Sequence, residues 1–274
     1  MANQVYDNFY LSNEVEDQFN SHLDLQQFCT IDNTLVGVAG MKRVINTYRA
    51  TDGTEKLVMG KGNTKSIEVN LTDAEYDIAL AQNRFQYYDE QAMTDPMLVP
   101  VGMKHAGTDM FNTVQADIYG EFNKTGIIVP VTNFDFDAFV DAVAAMNLEN
   151  DESANIFAFV SPADKAKVRK ALKDDLKYIE AYARTGYIGT VAGVHLFTKK
   201  DATVGTIIVA TKEAVTIFNK KGVEVEQITA DKRSETAANI RQNTIFSRKY
   251  YIVALTDESK AVKLTTDPVE ESAE

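Results

Sequence analysis

The sequence predicts an α+β fold with an extended β-hairpin and one long amphipathic helix. Three observations lead to this class. A charged segment with interspersed glycines covers residues 42–62, an apolar helical stripe covers residues 95–122, and short apolar runs alternate with helical patterns after residue 130. The hairpin is polar on both faces and marginal in water by itself, so we expect it to lie against another surface. A protein that assembles with copies of itself would provide that surface.

Length and composition are those of an ordinary globular protein. The 274 residues leave room for one large domain or two modest ones, and 45% hydrophobic with 25% charged residues are typical values. There is no run of eighteen apolar residues, so we expect no membrane span. Cys29 is the sole cysteine, which excludes an intrachain disulfide and a cysteine-based zinc site. Since the amino terminus lacks a secretory signal, we expect an intracellular origin.

The charge is acidic and unevenly distributed. A net charge of -12 argues against a dedicated nucleic-acid binder, whose affinity depends on cationic contacts with phosphate. No Lys or Arg precedes Lys42, and residues 267–274 form an acidic tail that we expect to be frayed. The acidic amino-terminal segment serves either solubility or contact with basic patches on a neighbouring copy.

The first strands are predicted from turn residues and alternation. Arg43–Ala50 and Lys56–Gly62 are predicted to pair as a hairpin around Asp52-Gly53, a dipeptide typical of tight hairpin turns. Residues 66–71 alternate apolar with polar side chains, which indicates a half-buried strand. The segment from 72 to 80 matches both a helix capping box and a strand, and we favour a strand beyond Ile78.

A long helix is predicted from Asp95-Pro96 to about Phe122, because an acceptor side chain before proline is typical of a helix start. Its apolar residues recur at steps of three or four: Val99, Met103, Ala106, Met110, Val114, Ile118 and Phe122. Pro100, Gly102 and Gly107 lower its intrinsic helix propensity. We therefore expect packing to stabilise this helix.

The second half reads as a compact α/β unit. We predict an amphipathic helix over Phe136–Met146, a buried strand over Ile156–Val160, and a helix capped by Ser161 that runs to about Tyr182. Further strands are predicted at Gly193–Thr198, Gly205–Ala210, Ala214–Phe218, Val223–Ile228 and Thr244–Leu255, with a turn at residues 219–222.

The sequence offers no motif for catalysis, a cofactor or a metal. Gly60–Lys65 lacks the spacing of a phosphate-binding loop, and none of the three histidines sits in a zinc-protease pattern. Asp135 and Asp137 imitate the start of a calcium loop, but helix capping explains them better. We predict no catalytic, cofactor or metal residue. The candidates for contact between subunits are charged residues of the hairpin: Arg49, Glu55, Lys56, Lys61 and Lys65.

The order of these elements resembles the major capsid proteins of tailed bacteriophages. Gly60–Lys65, the strand Ser66–Leu71 and the helix after Asp95-Pro96 resemble the extended loop and spine helix of that family, although Lys61 stands where the family's loop commonly has an acidic residue. Further similar segments are Asn155–Leu172, Gly186–Val194 and Arg233–Leu255. The likeness extends from about residue 30 to 265. The amino-terminal segments Leu11–Asp17 and Leu23–Phe28 are most similar to capsid proteins of siphophages of lactic-acid bacteria.

The resemblance implies the Hong Kong ninety-seven fold and the following division of the chain: an amino-terminal arm (1–35), an extended loop and peripheral domain with the spine helix (36–130), an axial domain (131–228), returning strands of the peripheral domain (229–265) and the acidic tail (266–274). It implies hexamers and pentamers of an icosahedral phage head that encloses double-stranded DNA without sequence-specific binding. The expected partners are other copies of the chain, a separate scaffolding protein, the portal and head-completion proteins. Assembly in the host bacterial cytoplasm and a place in the virion are expected.

Two alternatives remain open at the level of sequence. One is an encapsulin-like compartment shell of the same fold, and the other is a soluble cytosolic α+β enzyme without a recognisable motif. Some relatives join a loop lysine covalently to an asparagine of a neighbour. Lys61, Lys65, Asn239 and Asn243 have the required residue types, but we predict no cross-link from residue type alone.

Overall fold

A computed structural model describes residues 24–51, 53–148, 155–173 and 189–266. The described strands are β1 (Thr30–Asp32), β2 (Lys42–Ala50), β3 (Val69–Asp77), β4 (Ala79–Tyr88), β5 (Ile128–Pro130), β6 (Ile156–Val160), β7 (Thr190–Val191), β8 (Val194–Thr198), β9 (Thr206–Thr211), β10 (Val215–Ile228), β11 (Gln242–Leu255) and β12 (Ala261–Thr265). The described helices are α1 (Asp89–Thr94), α2 (Leu98–Phe122), α3 (Phe136–Ala145), α4 (Pro162–Ala171) and α5 (Glu235–Asn239), with 3-10 turns at Leu25–Phe28, Ala230–Lys232 and Glu258–Lys260. Most of the predicted arm, Asp52, the helix beyond residue 173 and the acidic tail after residue 266 lie outside the described residues.

The predicted hairpin has a different second strand. β2 pairs antiparallel with β3, with Lys42 opposite Asp77 and Ala50 opposite Val69. The prediction of a strand over Lys56–Gly62 is therefore wrong, as is the capping-box alternative, because residues 51–68 form the loop and residues 69–77 the returning strand. Strands that are polar on both faces specify their register weakly, so a local turn signal was a poor guide to the partner.

The long helix packs across a four-stranded sheet. That sheet has the order β1-β10-β11-β4, in which β10, β11 and β4 are antiparallel neighbours and β1 is parallel to β10. The predicted stripe of α2 is confirmed, since Met103, Met110, Val114, Ile118 and Phe122 are buried against the sheet's inner residues. In the described part of the chain no helix is both long and apolar enough to cross a membrane.

A six-stranded sheet of order β5-β12-β9-β6-β8-β7 lies between two layers of core. The central strand β6 is buried along its whole length, as predicted. Phe157 and Phe159 point towards the core around α2, whereas Ile156, Ala158 and Val160 belong to a second core shared with α3 and α4. This alternation follows from the two-residue period of a strand and explains why every position is apolar.

The helices α3 and α4 begin as predicted. Asp135 Oδ1 accepts a hydrogen bond from the backbone N–H of Ala138, at 3.0 Å, and so caps α3. Ser161 Oγ accepts from the N–H of Asp164, also at 3.0 Å, and Pro162 occupies the first helical position of α4. Helix capping thus accounts for both segments.

The strand predictions of the second half need one correction. The predicted turn at residues 219–222 is wrong, because β10 runs continuously from Val215 to Ile228 and the segment forms bulges against β11. The glycine and lysines of this segment are compatible with a bulge within a strand as well as with a turn. β10 and β11 lie in one sheet on either side of residue 229, and β5 and β6 lie in the other sheet on either side of residue 131. Neither predicted domain boundary therefore coincides with a change of sheet. The division into domains stays a prediction.

Candidate assembly surfaces

The β2–β3 hairpin is attached to the body at its base alone. Ile45, Tyr76 and Ile78 pack against a small buried cluster in which Phe218 and Ile252 take part. The Arg43 guanidinium lies 5.3 Å from the centre of the Phe218 ring, a cation–π contact.

Large apolar side chains of the hairpin are exposed: Val44 at the base, Leu71 and Val69 further out, and Ile67 in the loop. A two-stranded ribbon with exposed apolar side chains needs a further surface to be stable. The described apolar side chains of this ribbon's outer half therefore remain largely open to another surface.

The loop between the two strands, residues 51–68, is held in shape by its own hydrogen bonds. Glu55 accepts from the backbone N–H of Thr64 at 2.9 Å and from its hydroxyl at 2.8 Å. These bonds hold the pKa of the Glu55 carboxyl below its usual value. Asn63 donates to the carbonyl of Gly53 at 3.3 Å, and Thr51 N–H donates to the carbonyl of Glu68 at 2.9 Å. The loop is thus an ordered element that presents its outermost residues to solvent.

The five predicted contact residues have different surroundings. Arg49 lies in β2 opposite Asn70, and its side chain is outside the described ones. Glu55 is committed to the loop through Thr64. Lys56, Lys61 and Lys65 are exposed, and within the described residues none has an ion-pair partner. The structure therefore places around one loop three lysines that have no described ion-pair partner. Glu55 instead stabilises the loop itself. That these residues contact another subunit stays a prediction.

Sequence reasoning missed an apolar tip on this polar loop. Leu57, Val58 and Met59, here called the apolar tip, are exposed at 54%, 71% and 101% of their full area. Lys61 N–H donates to the carbonyl of Val58 at 3.0 Å, and Gly60 has a φ of +85°, which closes a turn just after the tip. The signal was visible as three consecutive apolar residues between Lys56 and Lys61, and the predicted polar strand obscured it.

A second exposed apolar surface lies at the junction of α1 and α2. Met93, Met97 and Val101, here called the methionine face, are exposed at 81%, 61% and 45%. Val101 N–H donates to the carbonyl of Met97 at 3.0 Å, so these two residues are stacked one helical turn apart. The opposite side of the helix faces the core, since Met103 is buried.

An arginine whose side chain is largely shielded from water fixes the position of α1. The Arg233 guanidinium donates to both carboxylate oxygens of Asp89, at 2.7 and 3.0 Å, and Asn243 Nδ2 donates to Asp89 Oδ1 at 2.7 Å. These three residues are called the arginine clasp. The hydrogen bond from Arg233 holds the pKa of Asp89 below its usual value. Asn243 is buried and committed to this network, so its amide is not available for a bond to another subunit.

The described end of the amino-terminal arm lies against the body. Leu25 N–H donates to Gln115 Oε1 of α2 at 2.8 Å, and Gln115 Nε2 donates to Asp24. Phe28 packs with three other phenylalanine rings at centroid distances of 4.5 to 5.4 Å. Residues 24–28 are therefore fastened to α2 and to the six-stranded sheet.

The chemistry available elsewhere is limited. Among the described residues no three His, Cys, Asp or Glu side chains come close enough together to hold a metal ion. A cavity of about 460 Å³ lies between the start of α3 and β7, lined by Asp135, Phe136, Asp137, Leu172 and Thr190–Ala192. The carboxylate of Asp135 is used there as the cap of α3.

The comparisons with known proteins identify the fold. No protein-family model matches the chain, and no curated protein matches it. Among solved structures, the mature capsid of bacteriophage PhiM1 matches with a TM-score of 0.65 and 12% identity, over 90% of this chain and 89% of that one. The virus-like particle from Pyrococcus furiosus matches with a TM-score of 0.64 and 11% identity, over 93% and 97%. The capsid of cyanophage P-SCSP1u matches with a TM-score of 0.62 and 14% identity, over 87% and 86%. The chain therefore has the fold of tailed-phage major capsid proteins.

Proposed function

We propose that this chain is a major capsid protein that self-assembles into the hexamers and pentamers of an icosahedral phage head. The observation that carries the proposal is the β2–β3 hairpin, whose described outer apolar side chains and apolar tip are exposed to solvent. The fold supports it, because the solved structures with this fold named above are two phage capsids and a virus-like particle. A closed shell repeats the same heterologous contact many times and leaves no open edge.

The division of labour in such a subunit follows the two main sheets. We propose that the four-stranded sheet with α2 forms the peripheral domain and the six-stranded sheet with α3 and α4 forms the axial domain. The arm before residue 35 and the hairpin would reach across neighbouring copies. Residues 24–28 support this assignment, since they are fastened to the body and would anchor whatever precedes them.

The acidic charge is compatible with a shell around double-stranded DNA. A net charge of -12 disfavours tight binding to phosphate, and a container needs enclosure without adhesion. We therefore propose that DNA is enclosed without sequence-specific contacts, in a particle assembled in the bacterial cytoplasm. We propose a separate scaffolding protein, a portal and head-completion proteins as its partners. Catalysis has no part in it.

Electron microscopy of the expressed chain, alone and with a candidate scaffolding protein, tests the proposal. We expect rings, shells or tubes. Mass spectrometry of particles purified from a phage lysate should find DNA-packaging components. Particles that consistently hold one enzyme would instead support an encapsulin-like compartment. A small, stable oligomer that turns over a metabolite would contradict both and support the enzyme alternative.

A further inference from the structure

Resting on the proposed shell function, we propose that the apolar tip Leu57-Val58-Met59 docks on the methionine face of a second copy of this chain. The tip would then be the anchor of the hairpin, with its lysines as a charged rim. This assigns the contact to residues outside the charged set predicted from the sequence.

The apolar tip is shaped for insertion into another surface. Met59 is fully exposed and Val58 nearly so, at 101% and 71%, although both side chains are strongly apolar. The hydrogen bonds of Glu55, Asn63 and Thr51 join residues that precede and follow the tip in the chain. An ordered loop that exposes its most apolar residues outermost is typical of an interaction site, because contiguous exposed apolar area is uncommon on proteins that stay single.

The methionine face is an equally exposed apolar surface on a rigid support. Gly102 in the first turns of α2 lies directly on the Phe85 ring of β4, where a Cβ atom would overlap the ring. This close contact fixes the start of α2 on the sheet and turns Met97 and Val101 outward. Methionine side chains adapt their shape to a partner, which suits a contact repeated in slightly different geometries around hexamers and pentamers.

One carboxylate beside the methionine face complements the lysines around the apolar tip. Lys56, Lys61 and Lys65 surround the apolar tip without a described ion-pair partner. Residues 89–101 contain three acidic residues and no Lys or Arg, with Lys104 one turn further along α2. Two of the acidic residues are engaged by arginines of the same chain. Asp95 has a described bond to the backbone N–H of Met97 at 2.9 Å and remains free for a lysine of the tip.

An exposed apolar run at the hairpin base is a poorer match. Val36, Val38 and Met41 are exposed beside the hairpin base, but the Lys220 ammonium donates to the Val38 carbonyl. That ammonium would repel the lysines of the tip, whereas Lys42 is already paired with Glu75 and Asp77. We therefore assign the tip to the methionine face.

Cysteine cross-linking tests this contact. Met59→Cys and Met97→Cys chains are co-expressed, and assembled material is treated with a short bismaleimide. The native Cys29 should not react with the bismaleimide, because it is fully buried and burial raises the pKa of its thiol to about 12. We expect a covalent dimer only when both variants are present, with peptides joining residues 59 and 97. Val204→Cys replaces Met97→Cys as the matched control, since Val204 is 58% exposed and lies elsewhere.

The outcomes separate this inference from the proposed function. Suppose that particles form normally but Met59→Cys gives no cross-linked product with either Met97→Cys or Val101→Cys. That result would overturn the docking proposal and leave the shell proposal standing. A product with Val38→Cys in place of Met97→Cys would also overturn it. Failure of the wild-type chain to assemble at all would refute the shell function, and the docking proposal with it.

Discussion

The arginine clasp offers the sharpest test of how this fold is held together. Asp89→Asn keeps the size of the side chain and removes its charge, leaving the Arg233 guanidinium without its counter-ion. The Arg233 side chain is only 9% exposed, so water cannot replace the lost carboxylate there. The substitution should loosen α1 from its neighbours, because an asparagine amide offers one acceptor oxygen where the carboxylate offers two to Arg233.

The expected cost can be bounded from the burial of the two partners. Removing one partner of a fully buried ion pair costs about 3–5 kcal/mol. The Asp89 side chain is 30% exposed, and asparagine retains one acceptor oxygen, so we expect a loss of about 1–3 kcal/mol in the free energy of unfolding. Glu90→Gln is the matched control. Its partner Arg241 and Glu90 itself are both well exposed, and such surface pairs contribute about 0–1 kcal/mol.

Urea unfolding of the dissociated chain, followed by circular dichroism because the chain has no tryptophan, measures these differences. A double-mutant cycle with Arg233→Met should show that the two substitutions cost less together than their sum. If Asp89→Asn and Glu90→Gln lower the stability equally, or if the cycle is additive, the clasp does not stabilise the fold.

The clasp also predicts a pH dependence. The pKa of Asp89 is lower in the folded chain than in the unfolded one, because Arg233 stabilises the carboxylate. Its contribution to stability is then complete above the unfolded pKa, near 4, and is lost as the pH falls through the folded value. The stability advantage of the wild type over Asp89→Asn should be full at pH 7 and should disappear in strong acid. A constant advantage across that range would contradict this explanation.

Three further substitutions probe packing and buried polar contacts, each measured by urea unfolding. Phe28→Ala removes a ring from an aromatic cluster and should cost about 3–5 kcal/mol, while a loss under about 1 kcal/mol would mean that the amino-terminal segment is not docked. Gly102→Ala forces a methyl group into the Phe85 ring and should cost about 1–3 kcal/mol, against almost nothing for Gly120→Ala, where a Cβ meets no neighbour. Asp164→Asn should cost about 1–3 kcal/mol, since the buried carboxylate accepts from the Gly205 N–H at 2.8 Å; unchanged stability would refute that.

Features fixed by local pattern were predictable from the sequence. The stripe of α2 repeats over seven positions, and the apolar run of β6 can only be buried on both faces, so both were found. The caps Asp135 and Ser161 were found for the same reason, because a cap and its helix are adjacent in the chain. These elements include those that position the two cores.

Features set by distant pairing were not predictable in this way. β3 was misplaced because the partner of β2 lies beyond a long loop, and a two-sided polar strand carries little register information. The arginine clasp joins residues that are 144 and 154 positions apart, Arg233 and Asn243 with Asp89, and nothing in their neighbourhoods marks them as partners. The short strands β1 and β5 pair in parallel at sheet edges, where three residues carry no periodic signal. The apolar tip was visible and was misread as part of a polar strand.

Sedimentation velocity of the full chain, over increasing concentration, tests most directly whether the molecule is a shell subunit. We expect large, concentration-dependent species in the wild type and their loss in Met59→Asp, with Met59→Leu assembling normally. Because the Met59 side chain is fully exposed among the described residues, both variants should keep the circular dichroism of the wild type. A wild-type chain that sediments as a compact monomer or small fixed oligomer at every concentration, with or without a scaffolding protein, would contradict the assembly function.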